Sequence, residues 1–270
     1  MPYLSPEEQG PAISVRRLKA GYGDRVIIND VSFDVPHGEI VCLIGGSGCG
    51  KSTVVRTLVG LLTPMEGEVR VFGKDPSTLE GADRIALLRR TGMLFQNGDL
   101  LGSMTVGDNV TLPLREHTDL PDAIIARIVA TKLAMVDLPD AANLTPAELS
   151  GGMRKRASLS RAIAMDPELL FCDEPSAGLD PIVAAGLDVT LRRLQKRLGM
   201  TMIVVTHELA SIQLIADRVV MLTQGGYVLA QGTLAEMNES EHPEVREFFG
   251  RKPPDEEDPG RSLLQVLEEG

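Results

Sequence analysis

The stretch Gly45-Gly46-Ser47-Gly48-Cys49-Gly50-Lys51-Ser52 spaces its glycines, lysine and hydroxyl as G-x-x-x-x-G-K-[ST]. It follows an apolar, β-branched run and opens a run with helical periodicity, the setting in which such a loop can hold a polyphosphate. Glycines let the backbone curl until successive N–H groups point at phosphate oxygens. The start of the helix adds partial positive charge. Lys51 would place a full charge at the β- and γ-phosphates and the Ser52 hydroxyl can ligate Mg²⁺, with Thr53 continuing the cradle. The bland alternative is a glycine-rich turn before a helix; the strand and helix flanking the loop weigh against it.

A second set of groups stands at Leu169-Leu170-Phe171-Cys172-Asp173-Glu174. Four apolar residues predict a buried parallel strand, and two carboxylates emerge at its C-terminal end, where α/β sheets bind ligands. Asp173 suits a Mg²⁺ partner through water, and Glu174 suits polarising an attacking water. A third set is Leu149-Ser150-Gly151-Gly152-Met153, followed by Arg154-Lys155-Arg156. Ser150 predicts a helix N-cap, and two glycines at a helix start leave donors open to an anion. The basic triplet reads as a solvated helix face.

These stretches, in the chain order 45–52, 149–156 and 169–174, closely resemble the ATPase subunits of ABC (ATP-binding cassette) transporters, over about residues 13–250. The resemblance implies that Ser150, Gly151 and Gly152 contact the γ-phosphate of ATP held by a partner subunit. Met153 departs from the family's usual glutamine, but the implied donors precede it. Tyr22, in Gly21-Tyr22-Gly23, matches the aromatic that stacks on adenine; a core or turn tyrosine is the alternative. Gln96, after Met93-Leu94-Phe95, matches the glutamine that senses Mg²⁺ and the attacking water. Ser176-Ala177-Gly178-Leu179-Asp180 matches the loop that places Asp180 at the subunit boundary, and His207 matches the switch histidine. ATP, Mg²⁺ and a head-to-tail pair of identical subunits are therefore expected.

A narrower likeness lies in LSGGMRKR, in residues 95–101 and in 242–249. These resemble the ATPases of Mla-type phospholipid transport systems and their relatives serving Mce-type lipid carriers. That likeness implies a membrane permease, a periplasmic lipid-binding protein and, in some systems, a STAS-domain subunit.

Around the chemistry, the pattern predicts an α/β fold with an inserted helical subdomain, and the resemblance implies a P-loop NTPase core of ABC ATPase type. Strands are expected at 13–19, 26–34, 39–44, 68–72, 168–172, 202–206, 218–223 and 227–230. Helices are expected at 51–62, 121–136, 153–164, 181–198 and 208–216, with a turn at Gly67 and a hairpin at Gly225-Gly226. Residues 97–162 carry the helical periodicity of the insertion, and 251–270 form an acidic tail in which Leu263, Leu264 and Leu267 either line one helical face or fray.

The 270 residues carry a net charge of -11, which argues against a nucleic-acid surface. No stretch approaches the ~20 apolar residues a membrane helix needs, and no signal peptide is visible. Cys42, Cys49 and Cys172 read as reduced thiols. The expected place is cytoplasmic, peripheral on the cytoplasmic face of the inner membrane, beside a permease received near 97–108. Three rivals are a P-loop kinase, which would leave LSGGM unexplained, the ATPase of an importer for amino acids or another small solute, and a non-transport ABC protein of repair or translation. The last usually carries a coiled-coil insertion, a zinc module or a second cassette, and none is visible here.

Overall fold

The protein is described by a computed structural model covering residues 10–96 and 99–250. The expected tail at 251–270, and Asn97 and Gly98 at the start of the insertion, lie outside the described residues. The chain runs β1 (Ile13–Tyr22), β2 (Arg25–Val35), β3 (Ile40–Gly45), α1 (Lys51–Leu58), β4 (Glu66–Val71), α2 (Gly81–Arg89) and β5 (Thr91–Leu94). Three helices follow, α3 (Val106–His117), α4 (Asp122–Met135) and α5 (Gly151–Ala162). The α/β alternation then resumes with β6 (Leu169–Asp173), α6 (Pro181–Leu198), β7 (Thr201–Val205), α7 (Leu209–Ile215), β8 (Arg218–Thr223) and β9 (Tyr227–Thr233), closing on α8 (Leu234–Asn238) and α9 (Pro243–Gly250).

One sheet runs in the order β4-β1-β2-β9-β8-β3-β7-β6-β5. From β8 to β5 the neighbours are parallel, and β1, β2 and β4 form an antiparallel flank. The central strands are apolar without alternation because both of their faces are covered. Ile40, Cys42 and Ile44 of β3 face one core and Val41 and Leu43 the other; β6 and β7 divide in the same way. The first core is continuous with α3, α4 and α5 through Val110, Leu133, Ala157 and Leu159, so those helices share their interior with the sheet.

Three local expectations change. Gly67 lies inside β4 and not at a turn: its φ is +85° and β1 passes so close that a Cβ would lie 2.2 Å from the Arg17 carbonyl oxygen. The helix expected to reach residue 62 stops at Leu58, the N–H of its C-cap Val59 donating to the Val55 carbonyl and that of Gly60 to the Thr57 carbonyl. Helix α3 has no counterpart in the sequence pattern because Pro113 interrupts it. A reciprocal cap between Thr105 and Asp108, with Val106, Val110 and Leu114 buried, outweighs the missing donor. The hairpin at Gly225-Gly226 forms as expected, both residues having positive φ.

No helix among the described residues is long and apolar enough to cross a membrane. Cys42, Cys49 and Cys172 are free and buried, and burial pushes the thiols of Cys42 and Cys172 well up, away from reactivity.

Candidate functional site: a phosphate loop, two carboxylates and a histidine at one sheet edge

Parallel pairing places Leu43 beside Val205, Asp173 beside Val205 and Leu94 beside Cys172. The loops leaving β3, β5, β6 and β7 therefore emerge together, bringing the 45–52 loop, Gln96, Asp173, Glu174 and His207 to one edge. Gly45, Gly48 and Gly50 have positive φ, and at Gly50 a Cβ would lie 2.4 Å from the Ile28 side chain. The Lys51 ammonium folds back across the loop and donates to the carbonyls of Gly45 at 2.8 Å and Gly46 at 3.1 Å. Ser52 is exposed at the helix start, whereas Cys49 and Thr53 are buried. Gln224, in the turn between β8 and β9, donates to the Ser47 carbonyl at 2.9 Å and steadies the loop from outside. Nothing in the sequence pattern pointed to it.

Asp173 ends β6 half-buried, and its carboxyl is pushed up first by burial and then by the charge of Glu174. Two adjacent carboxylates under that strain fit a cation. Ser52, Asp173 and Gln96 are residues at this edge whose side chains carry hard oxygen donors of the kind Mg²⁺ takes. Glu174 has a φ of 47°, a backbone cost of about 1–3 kcal/mol for a non-glycine residue. Its N–H donates to Val205 at 2.9 Å, fixing the main chain against β7. Its Oε1 lies 2.9 Å from Nδ1 of His207; the glutamate side chain is 13% exposed and the histidine 63%. A shielded carboxylate thus meets a histidine open to solvent.

Tyr22 is 45% exposed at the end of β1, which excludes a core tyrosine. Arg56 of α1 donates to its hydroxyl at 2.7 Å and lies 5.9 Å from the ring centre. Ser150 caps α5, its Oγ accepting from the N–H of Met153 at 3.3 Å. Gly152 lies so close to α6 that a Cβ would meet Val183 at 2.3 Å. Asp180 caps α6, one carboxylate oxygen accepting from Ile182 and Val183, each at 3.1 Å.

The basic triplet is not a solvated face. Arg154 is exposed, but Lys155 is buried, its ammonium donating to the carbonyls of Gln96 and Glu174. Arg156 pairs with Asp137 at 2.8 Å and bonds Thr190 of α6 at 2.9 Å. Lys155 precedes buried Leu159 by four residues and so shares the inward stripe of α5, but what buries that stripe is set by the packing. A second missed group is Asp188 of α6. Buried, it accepts from Ser211 of α7 at 2.6 Å, while its Oδ1 has no partner among the described residues. Ser211 in turn lies 3.5 Å from Ser176.

A glycine-rich loop closed on a lysine, with a carboxylate pair at a neighbouring strand end, defines a phosphate-loop nucleotide hydrolase. Residues 28–177 match the ABC transporter family. The chain is 40% identical to the intermembrane phospholipid transport system ATP-binding protein MlaF of Haemophilus influenzae over 88% of its own length and 89% of that protein's. It is 38% identical to the "Probable ribonucleotide transport ATP-binding protein mkl" of Mycobacterium leprae, over 90% and 70% of the two chains. Among solved structures it resembles a dimeric ATP-binding cassette in a post-hydrolysis state bound to ADP and Pi, with a TM-score of 0.74, 27% identity and coverage of 82% and 98%. It also resembles a Clostridium perfringens component of the ABC transporter complex cbiONQ, with a TM-score of 0.78, 26% identity and coverage of 97% and 100%. The chain belongs to the ABC transporter family, as an ATP-binding and ATP-hydrolysing subunit.

Proposed function

We propose that this subunit hydrolyses ATP to drive phospholipid transport, and that the groups gathered at the sheet edge divide the work. Tyr22 offers its exposed face to adenine. The 45–50 backbone, Lys51 and Thr53 hold the phosphates. Ser52, Gln96 and Asp173 hold Mg²⁺, which when bound supplies charge neutralisation at the β- and γ-phosphates. Glu174 accepts a hydrogen bond from the attacking water and polarises it, and His207 orients it. The observation that carries the enzymatic part is the 2.9 Å contact between Glu174 and His207 beside the phosphate loop.

Two copies stack head to tail in this reading, so that Ser150, Gly151 and Gly152 of one meet the γ-phosphate held by the other. Ser150 and Gly151 are exposed at the α5 N-terminus, and beside Asp180 the apolar Ile182 is 85% exposed; both support a protein surface arriving there. The dimeric cassette bound to ADP and Pi supports pairing of two copies. The permease docks near 97–108, beside a cleft of about 470 Å³ lined by Asp99, Leu100, Pro146, Ala147 and Arg154. Asn109, fully buried, holds that loop by accepting from the Leu101 N–H at 2.8 Å and donating to the carbonyls of Leu101 and Thr105. We place the subunit on the cytoplasmic face of the inner membrane, with a periplasmic Mce-type lipid-binding protein and a STAS-domain subunit as further partners and no nucleic acid.

The likeness to MlaF supports phospholipid as the cargo, as does the 242–249 stretch, which forms α9 and packs Val245 and Phe249 into the core. The name of the mycobacterial relative favours a second reading, a ribonucleotide cargo. Capture of the tagged protein from membranes in mild detergent, with mass spectrometry of what accompanies it, decides between them. A permease with enriched phospholipid supports the proposal. A permease with a soluble solute-binding protein and no lipid overturns the cargo, and ribosomes or DNA without a permease overturn transport.

A further inference from the structure

Lys155 lies on α5, four residues beyond Gly151, so about 6 Å of rigid helix separates it from the glycines at the α5 N-terminus. It is 7% exposed. No carboxylate among the described residues reaches its ammonium as an ion pair; its partners are two main-chain carbonyls. One belongs to Gln96, just beyond β5, and the other to Glu174 at 3.4 Å, just beyond β6. Both are on the residues assigned to the metal and the attacking water. A buried ammonium is retained only where its donors are used, and here they are spent on backbone whose direction sets two reacting side chains. At Glu174 that backbone is already in the left-handed region, so its carbonyl direction needs holding from outside.

We propose that Lys155 is a positioning residue that ties the α5 helix to Gln96 and Glu174, so that docking of Ser150–Gly152 onto a nucleotide and alignment of the hydrolysing carboxylate are one movement. The inference rests on the ATPase reading. A shift of the α5 N-terminus on closure carries Lys155 with it, and Lys155 moves the two carbonyls. Without the ammonium the helix still docks, because Ser150, Gly151 and Gly152 are untouched, but Glu174 is no longer drawn into register.

The test uses the full chain, as the parent, Lys155→Met and Lys155→Arg proteins. Each is measured for kcat and KM with ATP, for Tm, and for ATP-dependent dimer formation in a Glu174→Gln background. Loss of a held alignment predicts a kcat about tenfold or more lower in Lys155→Met with KM within about twofold, since only the reacting geometry is disturbed. Dimer formation should persist, and Lys155→Arg should recover most of kcat. Parental kcat in Lys155→Met overturns the proposal. So does a loss of kcat that follows a fall in Tm equally in both variants, the mark of a packing role. A parent that hydrolyses no ATP, alone or with its permease, defeats the ATPase reading and the coupling role with it. A working parent beside an unaffected Lys155→Met defeats the coupling role alone.

Discussion

Glu174 Oε1 and His207 Nδ1 stand 2.9 Å apart, although 33 residues separate them, because β6 and β7 are parallel neighbours whose ends leave the sheet side by side. Both residues lie just past the strand ends, and the glutamate main chain is pinned to the last residue of β7 by its own N–H. This contact frames the first expectation. In Glu174→Gln the side chain keeps its shape but no longer attracts the proton of a water, and hydrolysis should fall by roughly 10²–10⁴-fold while ATP binding persists. The ATP-bound dimer should then accumulate, as measured by light scattering. Adding Ser150→Arg should abolish it; a dimer indifferent to that change would mean that the α5 N-terminus does not bridge subunits.

Lys51 lies across the phosphate loop on the Gly45 and Gly46 carbonyls. Lys51→Ala removes a charge aimed at phosphate oxygens without opening the core. Turnover should drop about 10²-fold or more and ATP affinity should weaken with it, read by steady-state kinetics and by nucleotide titration. Near-parental turnover in the folded variant would refute the phosphate assignment.

Asp188 gives a pH signature. Its carboxyl is pushed up to about 6 from 3.8 by burial, with the Ser211 hydrogen bond pulling down and Glu208 pushing up. The folded state therefore binds this proton more tightly than the unfolded chain does. The residue favours folding most below pH ~4, and that contribution fades as pH rises to ~6 and stays lost above. Asp188→Asn keeps an acceptor for Ser211 and removes the charge. It should raise stability at pH 7 by on the order of 2 kcal/mol and leave it unchanged near pH 4. Urea unfolding at both pH values checks this; equal effects at both would exclude a charge origin.

Leu101 is half-exposed on the loop held by Asn109, beside the cleft at Asp99 and Arg154. A charge there, Leu101→Asp, should lower permease recovery about tenfold or more while basal ATP binding stays at the parental level, since an apolar contact of this size is worth a few kcal/mol. Unchanged recovery would move the docking site elsewhere on the chain.

The chemistry was legible in the sequence because ligand and local backbone together dictate it. A loop that wraps phosphate needs glycines, a lysine and a hydroxyl at fixed spacing, and a carboxylate at a strand end follows an apolar run wherever the strand sits. The 45–52 loop, Asp173-Glu174 and the N-cap at Ser150 could therefore be found without the fold. His207 carried no such local mark, and only its order in the chain suggested it. What the sequence left open depends on what packs from far away. Lys155 reads as one of three solvated cations until α5 lies against Gln96, 59 residues earlier, and Glu174, 19 later. Gly67 reads as a turn until β1 presses on β4. Pro113 reads as a break until buried neighbours hold α3 together around it. Burial of a charge, close approach of two backbones and tolerance of a proline are set by contacts across the chain, and only the tertiary structure decides them.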